Sequence, residues 1–109
     1  MLIIHPNTKI YLYNKATDMR KSFNALAILV NEKIGSDPAN GSMYVFCSKA
    51  QDKVKILQWD KNGFWLHYKR LAKGKFSIPS RSDTDLIINN RDLLCLLEGF
   101  GFTTPTKMF

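Results

Sequence analysis

The feature that most constrains this chain is the tetrapeptide Asp60-Lys61-Asn62-Gly63, set between two alternating runs. Asn-Gly supplies the positive φ angles of a tight hairpin, and β-branched and aromatic residues flank it on both sides. The spacing predicts a strand over Lys53–Trp59 and a returning strand over Phe64–Arg70. A two-residue Asn62-Gly63 turn and a four-residue Asp60–Gly63 loop differ by an even shift, so both assign the same faces. Leu57, Trp59, Phe64, Leu66 and Tyr68 share one face, with Lys55 and Arg70 extending it, and this face reads as core under the helices. Val54, Ile56, Gln58, Trp65, His67 and Lys69 share the other. There Trp65 either covers a second small core or contacts nucleic acid.

The rest of the chain is organised around that hairpin. Lys9–Tyr13 is a β-prone run read as a first strand, and Met43–Cys47 and Lys75–Ile78 complete a meander, with Pro79 ending the last strand. Between the first two strands the period changes. Met19, Phe23, Leu26, Ala27, Val30 and Ile34 recur at three- and four-residue steps, as on one face of a helix. Thr17 or Asp18 is placed to cap it and Gly35 to stop it. Asp37–Gly41 and Arg81–Asp85 read as loops, and Asn89 or Asn90 as the cap of a final helix carrying Leu93, Leu94, Leu96 and Leu97, with Gly99 as its stop. The expectation is an α+β fold: a small antiparallel sheet of four or five strands packed with two main helices. Residues 1–109 form one domain, long enough to bury roughly 65% of its unfolded surface, and the tail from about 102 is expected to be loosely ordered.

Charge is segregated. The net charge is +7, and Lys49–Arg81 alone holds nine basic residues against Asp52 and Asp60. Elsewhere seven basic residues meet seven acids and cancel. This placement favours a polyanionic partner, nucleic acid before membrane, because no amphipathic basic helix covers the stretch. The candidate nucleic-acid contacts are Lys53, Lys55, Trp65, His67, Lys69, Arg70, Lys73, Lys75 and Arg81. Arg20, Lys21 and Asn24 lie off the apolar stripe of the first helix and are candidate partner contacts.

No catalytic constellation is legible. There is no Gly-rich phosphate loop and no G-x-S-x-G, and His5 and His67 have no partner at a recognisable spacing. Only nine acids exist, and Asp18 reads as a helix cap, Asp60 as a turn residue, Asp83 and Asp85 as loop residues and Asp92 as a first-turn helix residue, so two-metal phosphoryl chemistry is not expected, nor any metal or other cofactor. Cys47 and Cys95 sit in apolar stretches without a C-x-x-C and read as two reduced thiols. No apolar run reaches the ~20 residues of a membrane span, and Met1–Pro6 does not read as a secretory signal. A cytoplasmic setting is expected, with neither membrane nor small-molecule substrate.

Two stretches together resemble a known family. Thr17-Asp18-Met19-Arg20-Lys21-Ser22-Phe23, followed by Leu26–Val30, resembles the T-D-M-R-K-G-F opening helix of the TnpB accessory proteins of insertion sequence family 66. Val45-Phe46, Asp52–Asp60, Gly63-Phe64, Lys69-Arg70-Leu71, Gly74-Lys75-Phe76 and Pro79 are similar, in order, to that family's second conserved stretch, and Leu93–Gly99 to its terminal helix. The likeness covers roughly residues 8–100. It implies a non-catalytic accessory factor for DNA transposition, partnered by DNA and by a separate transposase that carries the acidic catalytic triad. Departures are Ser22 for Gly, Ala72 for a frequent Glu, Ile78 for the Trp before Pro79, and Lys49-Ala50-Gln51 where many members carry arginines. The last weakens that loop as the main DNA contact. Two other functions fit the residues: a protein-interaction module without direct DNA contact, and a small metal-independent ribonuclease of the toxin type using His67 with Lys69 and Arg70.

Overall fold

A computed structural model describes residues 4–78 and 85–98 of the chain. Five strands form one sheet: β1 (Ile10–Ala16), β2 (Met43–Cys47), β3 (Lys53–Asp60), β4 (Gly63–Arg70) and β5 (Leu86–Ile88), in the order β4-β3-β2-β1-β5. Two helices accompany it: α1 (Phe23–Leu29), which runs into a π-helical turn over Val30–Ile34, and α2 (Asn90–Glu98). The α+β class and the mostly antiparallel sheet are as expected. One pairing is not. β1 and β2 run parallel, Ile10 opposite Met43 and Leu12 opposite Val45, and α1 with its π-turn is the crossover that parallel neighbours require.

Met43-Tyr44-Val45-Phe46-Cys47 is apolar throughout and buried throughout. A strand with no polar side needs cover on both faces, and the helices supply it from opposite sides. Met43, Val45 and Cys47 pack with Ile10, Leu12, Val54, Ile56 and Phe76 beneath Leu93 and Leu96 of α2. Tyr44 and Phe46 pack with Tyr13 and Leu57 beneath Leu26 and Val30 of α1 and its extension. Both helices on one face, the expectation from the sequence, is therefore corrected. The hairpin's two faces are divided as the alternation predicts, with Leu57 opposite Leu66 and Gln58 opposite Trp65. Its turn is a two-residue loop shifted by one residue from Asn62-Gly63. Asp60 pairs with Gly63, so the loop is Lys61-Asn62, and the positive φ (55°) falls on Lys61.

Helix α1 begins at Phe23, four or five residues later than capping by Asp18 or Thr17 would place it. Asp18 caps a turn instead: its Oδ1 accepts the Arg20 N–H at 2.9 Å, and its carbonyl accepts the Lys21 N–H at 3.1 Å. The carbonyls of Met19 and Lys21, which a helix starting there would spend on N–H groups four residues on, accept from Lys55 Nζ at 2.7 Å each. Gly35 does stop the helix, in the left-handed region at φ 78°, with its N–H on the Val30 carbonyl at 2.9 Å. Phe23, assigned to the apolar stripe, is exposed.

Residues 75–78 form no strand. Phe76 instead donates its N–H to the Gln51 carbonyl at 2.6 Å and buries its ring in the α2-side core. The fifth strand is Leu86–Ile88, which pairs antiparallel with β1. Asn89 caps α2 as expected, its Oδ1 accepting the Asp92 N–H at 2.7 Å. Gly99, Pro79, Arg81 and the tail from 102 lie outside the described residues.

Candidate nucleic-acid interface

The strand directions decide where the charge goes. β1, β2 and β4 all point the same way, since β3 is antiparallel to both β2 and β4 and β1 is parallel to β2. The segments that follow β1, β2 and β4 therefore leave at one end of the sheet. Hydrogen bonds hold them together there: Thr17 N–H to the Cys47 carbonyl (2.8 Å), Leu71 N–H to the Asp52 carbonyl (2.9 Å) and Phe76 N–H to Gln51. Arg20 and Lys21 from the first segment, Lys49 and Lys53 from the second, and Arg70, Lys73 and Lys75 from the third thus share one end. The carboxylates facing them from the same segments are Asp18 and Asp52.

Both carboxylates are engaged. Arg20 Nη2 lies 2.7 Å from Asp18 Oδ2, and this hydrogen bond holds the Asp18 carboxyl at about 2, well below its ordinary value. Lys53 Nζ lies 3.0 Å from Asp52 Oδ1 and lowers that carboxyl also, while Ser48 Oγ donates to the same oxygen at 3.2 Å. Lys49, Arg70, Lys73 and Lys75 are exposed. Asn24 is exposed on α1, beside Phe23.

The other predicted contacts are engaged by the fold, set apart from this end, or outside the described residues. Lys55 is not a surface cation: it is 7% exposed, its ammonium is held by the Met19 and Lys21 carbonyls, and it lies 5.0 Å from the centre of the Tyr68 ring. Lys69 Nζ donates to the Leu97 carbonyl at 2.6 Å, so its charge sits at the C-terminal end of α2, where a cation is favoured. His67 and Lys69 project from one face of β4 and Arg70 from the other. The trio that a ribonuclease reading requires therefore does not converge. Arg81 lies outside the described residues.

Trp65 sits toward the opposite end from the cations, and the cover-versus-contact alternative resolves towards exposure: it is 56% exposed. Its Nε1 donates to Asp60 Oδ2 at 3.1 Å, and its ring stacks on His67 with centroids 6.2 Å apart and planes 18° apart. Burial lowers the His67 pKa below its ordinary 6.5. Beside these rings is a hollow of about 410 Å³, walled also by His5, Asn40 and Gln58. Sequence reasoning missed it, because the antiparallel β2–β3 pairing brings Asn40 to the hairpin tip but only the parallel β1–β2 pairing adds His5. Among the described residues no group of three or more His, Cys, Asp or Glu could hold a metal ion, and no helix is long and apolar enough to cross a membrane. Cys47 is buried and Cys95 half-buried, both as thiols.

Fold and charge define a class: a small α+β domain whose cations are gathered at one end of a sheet covered on both faces. Its affiliation follows from its relatives. Residues 8–107 match the family model described as IS66 Orf2 like protein, and the chain belongs to that family. It is 31% identical over 107 residues to the uncharacterized protein y4hO of Sinorhizobium fredii (strain NBRC 101917 / NGR234), covering 98% of this chain and 93% of that one. It is 30% identical over 95 residues to the uncharacterized protein y4jC of the same strain, covering 87% and 81%. No solved structure matches it. Membership gives the chain an accessory role associated with transposition, in a family not known for enzymes.

Proposed function

We propose that this chain is a non-catalytic accessory factor that works beside a separate transposase in the cytoplasm and contacts DNA phosphates through the basic end of its sheet. The observation that carries the reading is the convergence of Arg20, Lys21, Lys49, Lys53, Arg70, Lys73 and Lys75 from three separate segments onto one end. Like charges repel, so the fold gains nothing by collecting them, whereas a polyanion does. The exposed members outside the two ion pairs, Lys49, Arg70, Lys73 and Lys75, are the principal phosphate ligands. Arg20 and Lys53 keep partial charge balance from Asp18 and Asp52.

Binding to duplex DNA is expected to be sequence-tolerant. With ~4–6 phosphates neutralised, log K falls against log salt with a slope of about −4 to −5. Reversing Lys73 and Lys75 to Glu should weaken binding sharply and flatten the slope by about 2, with the fold intact. A slope near zero in the unaltered protein, or no change on reversal, refutes the basic end as a DNA surface.

A second reading has its own support. Phe23 and Ile28 leave apolar surface exposed on α1, next to Arg20, Lys21 and Asn24. That combination suits a protein partner, and the transposase of the same element is the natural one. Co-purification that is lost on Phe23→Asp, while DNA binding persists, would assign α1 to the transposase and the basic end to DNA.

A further inference from the structure

The hollow beside Trp65 belongs to the end of the sheet away from the basic cluster, with Lys61 alone among the lysines and arginines on its wall, and the DNA-phosphate reading makes no use of it. We propose that it binds a single unpaired nucleobase bearing an exocyclic amino group, from a DNA strand; this rests on the reading of the chain as a DNA-contacting protein.

Three observations point there. The first is the platform. Trp65 is half exposed, unlike an aromatic that serves the core, and its ring is held in place rather than loose: Asp60 fixes the indole N–H at 3.1 Å and His67 stacks beside it. An exposed aromatic whose orientation is set in advance loses little freedom on binding a flat ligand. The second is size: about 410 Å³ lies within the range of small-ligand clefts and is far too narrow for a duplex.

The third is the polarity of the wall. Asp60 gives one lone pair to Trp65, and a carboxylate offers about four acceptor sites, so it still accepts from a base N–H₂. Asn40 Oδ1 accepts the Ser42 N–H at 2.8 Å and the Tyr44 hydroxyl at 3.2 Å, so the position of its amide is set. Its NH₂ is then placed for an acceptor on the base edge. Cytosine, adenine and guanine present both groups, whereas thymine has no exocyclic amine.

The test compares single-stranded dC12 and dT12, two pyrimidine strands of equal charge, with a duplex of similar length. Affinities are measured by fluorescence anisotropy at fixed salt for the full chain, Trp65→Leu and Asp60→Asn. The proposal expects dC12 to bind more tightly than dT12. Trp65→Leu should lose about 5- to 150-fold for dC12 and less than twofold for duplex, with an unchanged melting temperature. Asp60→Asn, which keeps an oxygen for Trp65, should remove the preference for dC12 over dT12. Competition by dCMP at concentrations matching dC12 would name the free nucleotide as the source of the base; failure of dCMP to compete would name the strand. Equal affinity for dC12 and dT12, or unchanged dC12 binding by a folded Trp65→Leu protein that still binds duplex, overturns the pocket and leaves the basic end standing. Failure to bind any of the three DNAs overturns the DNA reading itself.

Discussion

Replacing Lys55 by Met separates a structural lysine from a DNA-contacting one. Lys55 Nζ donates to two carbonyls at 2.7 Å each and faces the Tyr68 ring at 5.0 Å. A hydrogen bond to a charged group is worth about 1.5–3 kcal/mol net, and a partly exposed cation–π contact about 0.5–1 kcal/mol. Their sum sets a ceiling of about 7 kcal/mol. Two effects lower it. Met19 and Lys21 are only half-buried, so water reaches their carbonyls in the variant. Met also keeps the buried stem without the cost of desolvating an ammonium. The expected loss is about 2–4 kcal/mol in urea denaturation, with m unchanged. The DNA readout moves differently. A lysine on a phosphate contributes about 0.9 to the salt slope, and Lys55 should contribute nothing, so the slope of Lys55→Met should match that of the unaltered protein. A stability loss below about 0.5 kcal/mol together with a slope shallower by about 1 would refute this assignment and return Lys55 to the DNA surface.

Two further outcomes follow from local geometry. Gly35→Ala should cost about 1 kcal/mol, read as a melting temperature lower by several degrees: φ is 78° there, and an added Cβ meets nothing within 4 Å, so the cost is backbone strain alone. His67 has its pKa lowered by burial, so folding favours the neutral ring. That preference stabilises the fold fully above the ordinary value of 6.5 and is lost as pH falls through the lower folded value; His67→Gln should therefore flatten the urea midpoint between pH 7 and pH 5, and an unchanged pH profile would count against it.

What the sequence disclosed depends on the range over which each signal acts. The hairpin faces were legible because strand alternation is local and survives an even register error. Thus Leu57 and Leu66 fall together on the α1 side although the turn sits on Lys61-Asn62. Gly35 and Asn89 were legible because a helix stop and an N-cap are short-range requirements. The late start of α1 was not. Thr17 and Asp18 are sound caps by type, and what displaces the helix is an ammonium 34 residues away in sequence. The place of Lys55 on the same alternating face as Leu57 and Leu66, opposite Tyr68, was the available hint that it points inward. Leu86–Ile88 was lost for another reason: three residues carry too little alternation to register as a strand.

The candidate site shows most clearly why topology outweighs composition here. The surplus of positive charge between Lys49 and Arg81 is a property of the sequence, but a surplus spread along a meander would alternate between the two ends of the sheet. In an all-antiparallel arrangement the segment after β1 would leave opposite the segment after β2, placing Arg20 and Lys21 far from Lys49. The parallel β1–β2 pairing reverses this. It brings the Thr17–Ser22 turn beside Cys47, where Lys55 secures it from within. The residues assigned separately to a partner and to nucleic acid thereby become neighbours on one end. The same pairing draws His5 to the other end, beside the hairpin tip, Trp65 and Asn40. The proposed phosphate contacts and the proposed base contact therefore lie about one strand length apart, roughly 25 Å for eight residues, which is why variants at one end should leave the other end's readout unchanged.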